Sequence, residues 1–269
     1  RSDEEEDSHA ILASNELAKA FNNHTITTFC GFRIKSFQTE TYARSVRTLD
    51  QFLSNLVEKT NGVLPENFVV TLPKITRAEE VTVLDELLSE FERQRKLPND
   101  SVKIEIMIET PEAIFITQKL ANAAKHRLVA AHFGAYDYTA SFGITAVHQH
   151  LKHPACDFAR NVMQIALSPL GIRLSDSVTT EIPVSVHKGE KLSAQQVKEN
   201  KLAVQRAWRL HFNNVTHSLI NGFYQSWDLH PAQLVARYAA VYSFFLESFD
   251  EQSKRLKSFM DKATKATLV

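Results

Sequence analysis

Only two cysteines, Cys30 and Cys156, occur in 269 residues. That excludes a disulfide-built scaffold and fits a reducing, cytoplasmic setting. Glycine is almost as scarce, seven in all and none in G-x-G-x-x-G spacing. The phosphate-cradling turn expected early in a doubly wound nucleotide-binding sheet is therefore missing. No apolar run approaches the roughly 20 residues of a membrane span, so no membrane partner is expected. Neither sign of charge is in excess: 31 Lys+Arg balance 31 Asp+Glu. A broad nucleic-acid footprint would need clustered basic excess, so no nucleic-acid partner is expected either. The first seven residues, Arg1-Ser2-Asp3-Glu4-Glu5-Glu6-Asp7, are acidic and read as a solvated entry to a helix.

What remains is ordinary globular composition, 43% hydrophobic and 23% charged, at a length that suits one α/β barrel domain of roughly 250 residues. Helical spacing of apolar residues predicts helices over 8–22, 41–59, 78–95, 111–124, 156–168 and 194–223, with two more over 231–248 and 252–264. Between them lie short β-rich runs near residues 30, 70, 105, 130, 172 and 225. Six alternating βα units imply a parallel sheet covered by helices. The expectation is a single α/β domain over 1–269, a TIM-type barrel that is incomplete, with its first two strands upstream and its last helices within 231–264.

Ionisable residues recur where barrel active sites are built, at the C-terminal ends of the strands. Arg33 follows the first strand, Lys74 the second, Glu109 the third and Asp137 the fourth, and His230 lies beyond the last. Glu109 and Asp137 come from consecutive units, and two carboxylates at neighbouring strand ends can share one hard divalent cation. Capping of the following helices is the alternative for both. Arg33 suits a bidentate hold on a substrate carboxylate, or a structural ion pair. Lys74 suits an acidic substrate, or a pairing with Glu109. The His148-x-His150-x-x-His153 cluster reads as a polar surface loop, because only His150 and His153 share a helix face. Cys156 falls in an apolar helical pattern and is expected in the core. The stretch 184–197 is either a mobile lid or a plain surface loop.

The ordered set Gly31-Phe32-Arg33-Ile34-Lys35, Thr71-Leu72-Pro73-Lys74, Ile108-Glu109-Thr110-Pro111-Glu112, Phe133-Gly134-Ala135-Tyr136-Asp137 and His230-Pro231-Ala232-Gln233 resembles the HpcH/HpaI aldolase and citrate lyase beta-subunit-like family. That family lies within the phosphoenolpyruvate/pyruvate-binding barrel superfamily. The resemblance implies a carbon–carbon lyase acting through an enolate of a small 2-oxo acid or an acyl-CoA thioester, with Mg²⁺ or Mn²⁺ as cofactor. It implies Glu109 and Asp137 as metal ligands, Arg33 as the substrate-binding and catalytic arginine, and Lys74 and His230 as further catalytic residues. Gly134 and Ala135 would line the substrate. The family also carries an acidic Asp-x-Glu-Asp motif on its second strand, placed just upstream of the segment resembling residues 1–7. The rival expectation is an inactive or truncated barrel kept for binding or assembly. The terminal helices are candidates for packing in a homo-oligomer.

Overall fold

A computed structural model describes residues 2–124 and 126–266. Its contacts divide the chain into two compact units, Arg1–Ser175 and Asp176–Val269.

The first unit opens with α1 (Asp3–Asn22), started by a capping box in which Ser2 and Glu5 satisfy each other's backbone donors. The acidic run is thus helical, not merely solvated. Asp7 pairs with Arg44 and Arg47, and Glu6 with Lys35. These cations tie α1 to the segment just after β1 (Cys30–Arg33) and to α2 (Tyr42–Lys59). Then come β2 (Phe68–Leu72), α3 (Ala78–Arg95), β3 (Lys103–Ile108), α4 (Pro111–Phe115), α5 (Thr117–Ala123), β4 (Leu128–Phe133), α6 (Ala135–Ser141), α7 (Pro154–Leu167) and β5 (Arg173–Asp176). The helix expected over 111–124 is broken at Ile116, which leaves the helical region between α4 and α5. The short α6 has no counterpart in the periodic pattern of the sequence; seven residues give too few turns for a period to register.

The strands β1 to β5 pair parallel and in chain order. A doubly wound sheet reverses its strand order at a switch point, whereas a βα barrel advances one strand at a time. The observed order is the barrel's. Runs such as Ile104 to Ile108 are buried on both faces, as expected for parallel strands covered by helices. Packing is close: Phe32 of β1 stacks on Phe52 of α2 with ring centroids 3.8 Å apart. A buried cation fixes α3 to the sheet. Arg127, 1% exposed, donates to Asp85, Ser89, Glu92 and the carbonyl of Val102. Cys156 is fully buried, as expected.

The second unit holds α8 (Ala194–Ile220), β6 (Gln225–Ser226), α9 (Leu234–Glu247) and α10 (Phe249–Ala266). Val215 and Leu219 of α8 pack on Ala240 of α9. The stretch before α8 is tied to that helix: the backbone of His187 makes two hydrogen bonds with the Asn200 amide, and its ring meets Glu199. Among the described residues no helix is long and apolar enough to cross a membrane.

Candidate active site

Three neighbouring strands, β2, β3 and β4, deliver the site. In-register neighbours of a parallel sheet point the same way, and residues two apart along a strand share a face. The pairings Arg33↔Thr71, Thr71↔Glu105 and Met107↔His132 therefore place Arg33, Thr71, Glu105, Met107 and His132 on one face. Glu109 continues that face one step past the end of β3, and Gly134 does so one step past β4.

Glu109 is buried, 4% exposed. Its Oε1 accepts the backbone N–H of Lys74 at 2.7 Å. Lys74 adopts a left-handed backbone, φ 52°, immediately after Pro73. Its ammonium lies 3.1 Å from Oδ2 of Asp137. The lysine thus meets one carboxylate through its main chain and the other through its side chain; the side chain pairs with Asp137 and not with Glu109. Gly134 closes the other side. A Cβ at position 134 would stand 2.5 Å from the Glu109 Cβ and 2.7 Å from its Oε2. Only a residue with no side chain lets Glu109 lie where it does. Burial, reinforced by the negative charge of Asp137, pushes the Glu109 carboxyl up to about 7, against the pull of the Lys74 N–H.

The capping alternative for Glu109 does not hold. Thr110 is the N-cap of α4, its side chain accepting the N–H of Ala113 at 3.2 Å. Asp137 sits in the first turn of α6 without being its cap; Gly134 holds that position. Asp137 is partly exposed there, and its side chain reaches Lys74 across the strand ends. Ala135 opens α6, and the N–H of Gly134 is already bonded to the carbonyl of Ile108 at 2.9 Å. Arg33 is exposed, with Nη1 3.7 Å from Sδ of Met107, two residues below Glu109 on the same face.

Glu109, Lys74, Gly134 and Asp137 are therefore brought together, and Arg33 shares their face. His230 belongs to the second unit. There it is exposed, and its Nδ1 accepts the N–H of Ala232 at 3.1 Å, capping the turn Pro231–Gln233. His153 does the same for α7 through the N–H of Ala155. His148 and His150 are exposed and His153 is half-buried.

Sequence reasoning missed a polar layer beneath the carboxylates. Thr71 donates to Glu105 Oε1 at 2.8 Å, and His132 Nδ1 lies 2.9 Å from Ser175 Oγ. Burial holds the Glu105 carboxyl above the usual range. Burial, with the Arg33 charge, drives His132 down to about 3. A signal was present in the two-residue alternation of the strands. Stepping back in twos from Glu109 reaches Met107 and then Glu105, and one such step from Gly134 reaches His132. Both Glu105 and His132 are polar residues inside otherwise apolar strands.

The fold is shared with known enzymes. A citrate lyase from Burkholderia xenovorans is similar at 19% identity and TM-score 0.64, covering 91% of this chain and 70% of its own. A citrate lyase beta subunit from Mycobacterium tuberculosis, complexed with oxaloacetate and magnesium, is similar at 17% identity and TM-score 0.51, covering 78% of this chain and 72% of its own. Malate synthase from Haloferax volcanii is similar at 16% identity and TM-score 0.56, covering 77% of this chain but 52% of its own. These neighbours are TIM-type barrels, so the resemblance drawn from the motifs holds for the fold, and the chain is an incomplete barrel. No curated protein matches in sequence. The family model DUF6986, described as a domain of unknown function, matches residues 1–269, and the chain belongs to that family.

Proposed function

We propose that this chain holds a divalent cation, Mg²⁺ or Mn²⁺, between Glu109 and Asp137, and that it makes or breaks a carbon–carbon bond through an enolate of a small 2-oxo acid or acyl-CoA thioester. The observation that carries this reading is the convergence of two carboxylates from adjacent βα units, one buried and one exposed, each meeting Lys74. The donor set suits a hard cation. Both ligands are oxygens, and their mutual repulsion, felt in the raised Glu109 carboxyl, is what a cation relieves. When bound, the cation would supply Lewis-acid neutralisation of the charge that develops on the substrate oxygen.

The remaining roles fall to the chain's own groups. Arg33 holds the substrate carboxylate, its planar fork matching two oxygens at once. The Lys74 backbone fixes the orientation of Glu109, and the Lys74 ammonium holds Asp137 toward the strand ends. Gly134 keeps the floor of the site open. The presence of magnesium with oxaloacetate in one similar structure, and with pyruvate in another at TM-score 0.52 and 17% identity, supports both the cofactor and the substrate class.

The test is replacement of the ligands. Asp137→Ala and Glu109→Gln are expected to abolish metal-dependent turnover of a 2-oxo acid or acyl thioester. Unchanged Mg²⁺ affinity and turnover in both variants would overturn the assignment.

A further inference from the structure

The strands carry charge at their other end as well. Stepping back in twos from Glu109 passes Met107 and Glu105 and reaches Lys103, the first residue of β3. Ala130 is paired with Glu105 on one side and with Arg173 on the other. Lys103 and Arg173 therefore lie on the same face of the sheet as Glu109, at the N-terminal end of the strands. Six steps of extended chain separate Lys103 from Glu109, about 20 Å.

Both cations line a cavity of about 480 Å³ within the first unit, a size that suits a small ligand. Its apolar walls come from the loops that enter β2 and β3, through Leu64, Pro65, Leu97 and Pro98. Side chains fix these loops. Asn67, left-handed at φ 59°, donates to the carbonyl of Thr28 at 3.2 Å. Glu92 accepts the N–H groups of Asp100 and Val102 at 3.0 and 2.9 Å. Among the described residues neither Lys103 nor Arg173 makes a hydrogen bond or an ion pair. The Arg173 guanidinium lies 4.7 Å from the centroid of the Phe29 ring, a contact that orients its fork. The acids nearby are engaged or exposed. Glu105 feels the Arg173 charge but accepts its hydrogen bond from Thr71. Asp100 lies 3.4 Å from Arg127, and Glu66 is exposed.

We propose that this cavity binds an amphipathic monocarboxylate, its carboxylate held between Lys103 and Arg173 and its hydrocarbon body against Leu64, Pro65, Leu97 and Pro98. The Arg173 fork grips two oxygens, and Lys103 adds a point charge. β3 and β5 are separated by one strand, about 10 Å across, a span that two such long side chains close on one ligand. An uncharged molecule of the same shape leaves both cations unanswered, and a bare anion leaves the apolar walls wet, so the site selects against both. The inference does not rest on the metal site, which lies at the opposite end of the strands.

Calorimetric titration of the full chain with octanoate tests it, in EDTA so that no cation loads Glu109 and Asp137. One octanoate per chain is expected, with octanamide and acetate each bound at least tenfold more weakly. Lys103→Met and Arg173→Met should each lose at least tenfold, and Arg173→Lys should fall between the wild type and Arg173→Met. Neither side chain is hydrogen-bonded, so unchanged circular dichroism is expected in these variants. The octanamide comparison is made on the wild type and stands even where a variant folds poorly. Asp137→Ala should bind octanoate like the wild type. Absence of saturable binding, equal binding of octanamide, or wild-type binding by the variants at 103 and 173 would each overturn the proposal. Loss of binding in Asp137→Ala would overturn it too, by placing the carboxylate at the other end of the strands.

Discussion

The backbone N–H of Lys74 points at Glu109 Oε1 from 2.7 Å. A main-chain donor cannot be removed by substitution, so position 74 contributes in two separable ways. Replacing Lys74 by Ala keeps the Glu109 contact and removes only the ammonium at Asp137. Both partners of that ion pair are about half exposed, 49% and 51%, and such pairs are worth only about 0.2–1 kcal/mol. Lys74→Ala is therefore expected to tighten Mg²⁺ binding by about two- to fivefold, since the cation no longer competes with the ammonium. Calorimetric titration checks this; a loss of binding would mean that the side chain, not the main chain, organises the carboxylates.

Gly134 gives a sharper steric prediction. The nearest atom to a new Cβ is the Glu109 Cβ at 2.5 Å, which cannot swing away as the tip of a flexible side chain would. Gly134→Ala must displace Glu109 or the start of α6. The expected cost is about 1–3 kcal/mol of stability, together with at least a tenfold loss of Mg²⁺ affinity. Urea unfolding and metal titration of the same variant read the two effects.

Arg127 tests what holds the first unit together. It is buried among Asp85 and Glu92 and donates to the carbonyl of Val102. Burial alone would raise the Glu92 carboxyl, yet the Arg127 guanidinium holds it below its ordinary value. Replacing Arg127 by Met leaves two carboxylates with no buried counter-charge. Breaking one side of such a network costs about 3–5 kcal/mol, which should appear as a lowered urea midpoint. Arg127→Lys should not restore it, because one ammonium cannot reproduce the fork that meets Asp85 and Glu92 together.

His132 sets a pH dependence. Its ordinary value is 6.5, and burial with the Arg33 charge lowers it to about 3 in the folded chain. Below about pH 6.5 the unfolded chain takes up a proton that the folded chain refuses until about pH 3. Stability contributed by the neutral imidazole is therefore fully present above pH 6.5 and is lost as pH falls, by at most about 1.4 kcal/mol per pH unit. His132→Gln removes that proton. The difference in unfolding free energy between wild type and variant should slope with pH below 6.5 and be flat above it. A difference independent of pH would show that the imidazole titrates alike in both states.

Much of the fold is legible in the order of residues. The boundaries of α3 follow from apolar spacing alone, and the paired carboxylates follow from their placement just beyond the strands. The barrel order of β1 to β5 is implied by strict alternation together with the missing glycine turn. Other features are invisible there for physical reasons. α6 is too short to show a period, and it is α6 that carries Asp137. The role of Gly134 depends on a contact with Glu109, 25 positions earlier in the chain, which no local pattern encodes. The polar layer of Glu105 and His132 sits in strands that read as apolar, where two-residue alternation is the only clue. The acidic opening run reads as solvated because its partners, Lys35, Arg44 and Arg47, lie far along the chain.

The proposed function rests on Glu109 and Asp137 forming a metal site that takes a 2-oxo acid. Calorimetric titration of the chain with Mg²⁺, with and without pyruvate or oxaloacetate, tests it most directly. One cation per chain is expected, bound more tightly when the oxo acid is present, and lost in Asp137→Ala. Absence of binding under both conditions, or binding that Asp137→Ala leaves intact, would contradict it.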